Sequence, residues 1–324
     1  MLYSCVTLQY NFHSLSAIIE SRGLTKRFGS FTAVSDLSFT IAPGDVYGFL
    51  GQNGAGKSTT MRMMLGLIHP DAGQVFIKGT AFTRTRRELL RYIGAIIERP
   101  DMYGYLTAWD NLRMFARLSK PGIPDKRLHE VLELVGLTGR EKDKVKAYSQ
   151  GMKQRLGIAV ALVHDPELLI LDEPTNGLDP QGIAEMRELI RHLSRDQGKT
   201  VLISSHLLHE IEQVATRMLI IHRGSKIKEG PVSELLNPDE TLMEISFEPD
   251  SHTVSALQGS GWQPYIFETK PGQAVLKMNP VHTPELTRWL VAQGTQVLGL
   301  HARHSLEALF LTLTNDTAHT GRTV

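Results

Sequence analysis

The sequence predicts an α/β chain: a layered core of short apolar strands and amphipathic helices, interrupted by a helical insertion and followed by a small α+β domain. Three observations carry this. From about Ile18 to Val232, strand-like apolar runs alternate with helix-spaced ones. Between about Arg99 and His164 the strand signal disappears and the segment reads as mostly helical. Near Asn237-Pro238-Asp239 the composition changes, and beyond it period-two alternation begins. The expected organisation is therefore an N-terminal extension over 1–17, a main domain over 18–235 with a helical subdomain at about 99–164, and an accessory domain over 236–324.

The elements follow in order. MLYSCVTLQYNFHSLSAII has no Lys or Arg ahead of its apolar residues and is broken by Gln9, Asn11 and His13. It is a poor signal peptide and is expected to be a ragged extension before the first strand. Val46 to Gly51 reads as a strand, and the helix after it places Met61, Met64, Leu65 and Ile68 on one face. In the insertion, Thr107 and Asp110 form a capping box for a helix starting at Ala108. A further helix starts near Gly151, with Leu156, Ala159, Val160 and Val163 on its stripe. Leu168 to Leu171 is an uninterrupted apolar run, as a strand buried on both faces should be. Met186, Leu189, Ile190 and Leu193 mark the next helix, leading to a strand over Thr200 to Ser204. In the last domain Met243, Ile245 and Phe247 alternate with Glu244, Ser246 and Glu248. Strands over Gln273 to Met278 and Gln296 to His301, and helices over Pro284 to Ala292 and Ser305 to Leu313, complete it.

Composition narrows the function classes. With 41% apolar and 21% charged residues over 324, the chain is ordinary globular, not disordered. No apolar run approaches the ~18 residues of a membrane-spanning helix. A net charge of +1 gives no electrostatic footprint for nucleic acid, and none is expected as a partner. Cys5 alone cannot form an internal disulfide, which suits a reducing compartment.

The chemistry sits in three places. Gly51 to Ser58, GQNGAGKS, fits G-x-x-x-x-G-K-[ST] between a strand and a helix. Gly51, Gly54 and Gly56 let the backbone curl so that successive N–H groups face phosphate oxygens, and the helix N-terminus adds partial positive charge. Lys57 is expected to bridge the β- and γ-phosphates and Ser58 to ligate Mg2+. Asp172 and Glu173 end a buried strand at the edge where α/β sheets bind ligands. Asp172 would hold the magnesium shell, and Glu173 would orient and deprotonate the attacking water. His206 follows TVLISS on the same rim, where an imidazole could hydrogen-bond a γ-phosphate oxygen.

GQNGAGKS, YSQGMKQR, LLILDEP, NGLDP and ISSH, in that order, resemble the ATP-binding subunit of ABC transporters over roughly Glu20 to Val232. The resemblance implies a P-loop, RecA-like nucleotide-binding core and ATP held between two subunits, in the simplest case a homodimer. It also implies a polytopic membrane permease as partner and a peripheral location on the cytoplasmic side of the membrane. Within the phosphate loop it adds Asn53, Ala55 and Thr59 to the ATP contacts. Ser149 and Gly151 stand where the family contacts the partner subunit's γ-phosphate, though Gln150 and Met152 depart from the commonest signature. Asp179 closes the segment that resembles the family's D-loop, and Phe28 stands where an aromatic stacks on adenine. Glu98 replaces the usual glutamine near the magnesium; a surface salt-bridge residue is the alternative. IIERP, Tyr103 and the terminal SLEALFLTLT resemble exporters conferring bacitracin, daunorubicin or lantibiotic self-protection. An importer subunit, or a soluble ABC ATPase acting on ribosomes or another macromolecule, remains the alternative. Tyr103, Tyr105 and Trp109 either form a groove for a membrane subunit or pack the subdomain's own core.

Overall fold

The computed structural model describes residues 17–249 and 251–304, so all but the last residue of the expected N-terminal extension (1–17), and the helix expected over 305–313, lie outside the described residues. The chain divides into two compact units between Glu229 and Gly230, a few residues ahead of the composition change.

The first unit opens with the hairpin β1 (Ile19–Phe28) and β2 (Phe31–Ile41), then β3 (Val46–Leu50) and α1 (Lys57–Met64). β4 (Ala72–Ile77), β5 (Thr80–Ala81) and β6 (Ile93–Ile96) precede the insertion, which holds α2 (Ala108–Ser119), α3 (Asp125–Leu134) and α4 (Gln150–Leu162). The chain then alternates: β7 (Leu168–Leu171), α5 (Pro180–Arg195), β8 (Thr200–Ser205), α6 (Leu208–Val214), β9 (Arg217–His222) and β10 (Ser225–Pro231). One sheet has the order β10-β9-β3-β8-β7-β6, and the pairings from β9 through β6 are parallel. A second, antiparallel sheet has the order β2-β1-β4-β5.

Burial explains these assignments. Every residue of β3 and of β7 is buried; Phe39 of β2 packs on Tyr47 and Phe49 of β3, while Gly48 faces Ile211 of α6. The α5 stripe is the predicted one, with Met186, Leu189, Ile190 and Leu193 buried and the rest of the helix turned outward. In the insertion the Thr107 hydroxyl caps α2 by accepting from Asp110 N at 3.0 Å, and donates to the Asp110 carboxylate at 2.6 Å. Buried Asn111 is fully engaged: its amide donates to the carbonyls of Tyr103 and Thr107 and accepts from Tyr103 N.

The second unit contains α7 (Val232–Leu235), β11 (Thr241–Phe247), α8 (Ser251–Gln258), β12 (Ile266–Lys270), β13 (Gln273–Lys277), α9 (Thr283–Ala292) and β14 (Val297–His304). Its antiparallel sheet has the order β12-β13-β11-β14. Met243, Ile245 and Phe247 of β11 pack with Leu257, Leu276, Leu286 and Leu290. Sequence reading missed α8 and β12. β12 carries an exposed Phe267 and charges on an edge, so it lacks the alternation that marked β11.

Candidate active site

Parallel pairing of β3, β8 and β7 brings three C-terminal strand ends to one rim, with Leu50 beside Ser205 and Leu171 beside Ile203. The loops leaving these strands carry the phosphate motif, His206 and the two acids. Sequence reading had put His206 and the two acids on one rim, and the strand order of the sheet creates that adjacency.

The phosphate loop is held by its neighbours' backbones. Gly51 N donates to Ser205 O, Gly224 N to Ala55 O, and Ser35 N to Gly224 O. Gly56 has φ +107°, and a Cβ there would lie 2.6 Å from Ala33 O, so only glycine fits. It also precedes α1 without any side-chain cap, leaving the first N–H groups of the helix free for an anion. Within the loop Asn53 is exposed, Ala55 is buried, and Ser58 and Thr59 are half-buried.

Lys57 is 5% exposed. Its Nζ donates to Gly51 O at 2.5 Å and to Gln52 O at 3.2 Å, and lies 3.1 Å from Glu173 Oε1. That carboxylate oxygen is buried and makes no hydrogen bond, so the ammonium is its electrostatic partner. The other oxygen, Oε2, accepts from His206 Nδ1 at 2.7 Å. Glu173 has a left-handed backbone, φ +50°, which bends the chain sharply after β7. Asp172 is 2% exposed. Its Oδ1 accepts from Ser204 Oγ at 2.6 Å, and the same hydroxyl accepts from Glu173 N at 2.8 Å.

Ser58, Glu98, Asp172 and Glu173 border one cavity of about 440 Å³, with Gln150, Gln154 and Asn176 on its walls. Glu98 has φ +66°, is 66% exposed at its side chain and pairs with Arg62 of α1. The donor set fits a hard divalent cation: a buried carboxylate, a hydroxyl and a second carboxylate on one cavity. Among the described residues, no group of three acids, imidazoles or thiols could hold a metal by itself. That suits magnesium, which completes its shell with phosphate oxygens and water.

Other predicted residues lie outside that cavity. Phe28 sits at the β1–β2 turn, half exposed, with the Lys26 ammonium 5.5 Å from its ring centre. Ser149 caps α4 by accepting from Met152 N at 3.2 Å. A Cβ on Gly151 would meet only Leu178 Cδ2, at 3.8 Å. The chain itself leaves space there. Asp179 caps α5 by accepting from Gly182 N at 2.9 Å. The aromatic trio divides: Tyr103 and Tyr105 are exposed and edge-to-face at 5.8 Å, whereas Trp109 lies 4.5 Å from the His129 ring of α3.

Sequence reading missed Ser204, Ser205, Thr175 and Glu210. Ser205 Oγ donates to Glu210 Oε2 at 2.6 Å, and Thr175 Oγ1 donates to the same oxygen at 2.9 Å. The only signal was two adjacent hydroxyls before His206 and an acid one helical turn beyond it.

Comparison with known proteins agrees with this geometry. Residues 34–176 match the model of the family described as ABC transporter. The chain is 41% identical over 305 residues to the uncharacterized ABC transporter ATP-binding protein YhcH of Bacillus subtilis, covering 94% of this chain and 98% of the relative. It is 48% identical over 245 residues to the bacitracin transport ATP-binding protein BcrA of Bacillus licheniformis, covering 75% and 79%. The lantibiotic transport ATP-binding protein SrtF of Streptococcus pyogenes is 42% identical over 232 residues, 71% of this chain and 99% of that one. Among solved structures, cbiO1 of Clostridium perfringens, part of the ABC transporter complex cbiONQ, aligns with a TM-score of 0.62 at 26% identity. That alignment covers 68% of this chain and 90% of the other.

Proposed function

The chain belongs to the ABC transporter family as an ATP-binding, ATP-hydrolysing subunit, and on that premise we propose how its own residues divide the work and what they drive. The observation that carries the proposal is the chain of contacts from the Lys57 ammonium through the Glu173 carboxylate to the His206 imidazole. Lys57 and the free N–H groups of the phosphate loop and α1 hold the β- and γ-phosphates. Ser58, Asp172 and Glu98 hold Mg2+, which when bound neutralises phosphate charge. Glu173, with one oxygen free of hydrogen bonds, orients a water and accepts its proton. His206 already donates Nδ1–H to Glu173. That leaves its Nε2 as the ring atom that meets a γ-phosphate oxygen.

Phe28 stacks on the adenine. Asn53, Ala55 and Thr59 contribute further loop contacts. Ser149 and Gly151 face the γ-phosphate held by a second subunit, a role that the open space at Gly151 supports. Asp179 keeps the adjoining loop in register by capping α5.

ATP closes a homodimer, hydrolysis reopens it, and a polytopic permease converts the movement into transport. Among the described residues no helix is long and apolar enough to cross a membrane. We place the subunit at the cytoplasmic face through its permease, with antibiotic, peptide or lipid-like cargo; the identity to BcrA and SrtF favours export.

Glu173→Gln tests the assignment. The variant should lose ATP turnover by about a hundredfold or more, bind ATP with unchanged affinity, and accumulate an ATP-dependent dimer in sedimentation. Wild-type turnover in that variant would remove Glu173 as the base. Pull-down of the trapped variant from detergent-solubilised native membranes should bring a polytopic membrane protein with it. Recovery of ribosomal proteins instead would overturn the transport reading while leaving the ATP site intact.

A further inference from the structure

We propose that Glu210 is a positioning residue: it holds Glu173 against His206 by clamping the two loops that carry them. This rests on the roles just given to Glu173 and His206. Glu210 lies in the first turn of α6, is 8% exposed and touches neither of those residues by hydrogen bond. Its Oε2 accepts two hydroxyls. One comes from Ser205, which directly precedes His206, and the other from Thr175, two residues beyond Glu173. Both hydroxyl residues are buried as well.

Each arm reaches its target through fixed backbone. On the acid side, Asn176 N donates to Glu173 O at 3.1 Å, closing a turn that contains Thr175. Holding Thr175 therefore holds the turn whose first residue is Glu173. On the imidazole side, Ser205 Oγ also accepts from Leu207 N at 3.0 Å, so the hydroxyl brackets His206 from both neighbours. Hydroxyl bonds to a carboxylate are shorter and stronger than neutral ones, and burial excludes water from competing. Because one oxygen receives both arms, losing it releases the two loops together. A purely local role, an acid favoured at a helix N-terminus, explains neither the shared oxygen nor the reach to Thr175.

Four variants test this. Glu210→Ala removes both arms; Thr175→Val and Ser205→Ala remove one each. Glu210→Gln keeps an oxygen with two lone pairs, able to accept both hydroxyls. Glu210→Ala should lower kcat about ten- to a hundredfold, the penalty for misplacing a reacting group by about an ångström, with KM for ATP unchanged. Glu210→Gln should recover kcat to within about threefold of wild type, and the single-arm variants should fall between. In a His206→Ala background, Glu210→Ala should cost far less than it does alone, because the contact that it maintains is already gone.

A rise in KM matching the fall in kcat would overturn the proposal. So would a glutamine variant no better than alanine, or fully additive losses in the double variant. Should Glu210→Ala fail to fold by circular dichroism, the KM-against-kcat split of Thr175→Val and Ser205→Ala decides the question. Absent turnover in the wild type would strike the ATPase roles themselves. Normal turnover in every Glu210, Thr175 and Ser205 variant would strike this proposal alone.

Discussion

Replacing Ser204 by alanine removes one oxygen that serves two groups. The serine is buried on β8, donates to Asp172 Oδ1 at 2.6 Å and accepts from Glu173 N at 2.8 Å. Alanine keeps the volume within one atom, so packing is spared and the polar loss is isolated. A hydrogen bond to a charged group contributes about 1.5–3 kcal/mol, and an orphaned buried donor adds to the loss; together they come to about 3 kcal/mol. For a unit of this size each kcal/mol moves Tm by about 2–4 °C, so a fall of roughly 6–12 °C is expected. Differential scanning fluorimetry in buffer, and again with Mg2+ and a non-hydrolysable ATP analogue, checks it. A cation at Asp172 gives its carboxylate a new partner, so the ligand should raise Tm more in the variant than in wild type. A Tm within about 2 °C of wild type, or a smaller ligand-induced rise, would refute the claim that Ser204 stabilises the acidic pair.

Gly56→Ala sets a Cβ 2.6 Å from the Ala33 carbonyl at φ +107°; strain of about 1–3 kcal/mol should weaken nucleotide binding about ten- to a hundredfold by fluorescent titration while the fold persists. Asp179→Ala loses the α5 cap and should cost about 1 kcal/mol in chemical denaturation, whereas Asp179→Asn should be nearly neutral. His164 has its pKa held below the ordinary 6.5 chiefly by burial, with Lys199 and Arg127 adding to that and the carbonyl of Ile93 and Asp165 opposing it. The unfolded chain therefore takes up the proton first, so stability should be flat above about pH 6.5 and fall below it. His164→Gln should flatten that slope in urea titrations between about pH 7 and pH 5.

What the sequence could reveal depended on how local the cause was. The α5 stripe, the Thr107 cap and the alternation of β11 all follow from neighbours within a few residues, and each is present as read. The phosphate loop was legible because its glycines act through their own backbone and the Lys57 ammonium folds back onto Gly51 and Gln52 of the same motif. By contrast, the Ser204 bridge and the Glu210 clamp depend on β7 and β8 lying side by side, and no spacing rule joins Thr175 to a residue 35 positions away. The pairing of Glu98 with Arg62 is equally non-local. The aromatic trio separated for the same reason: Trp109 found its partner on α3, a helix that the sequence reading did not single out within the insertion.

The order of strands in the parallel sheet also has a consequence for synthesis. β3 sits between β8 and β9, and Val46 N donates to the Thr216 hydroxyl 170 residues further on. A ribosome adding about 5–20 residues per second needs roughly 10–30 s to supply those partners. Until β8 is made the central, fully buried strand has neither neighbour, and the phosphate loop behind it lacks Ser205 and Gly224 to lean on. A nascent chain halted before residue 200 thus carries a complete phosphate-binding motif without the Ser205 and Gly224 contacts that hold it, together with a bare strand that invites a chaperone or another stalled chain.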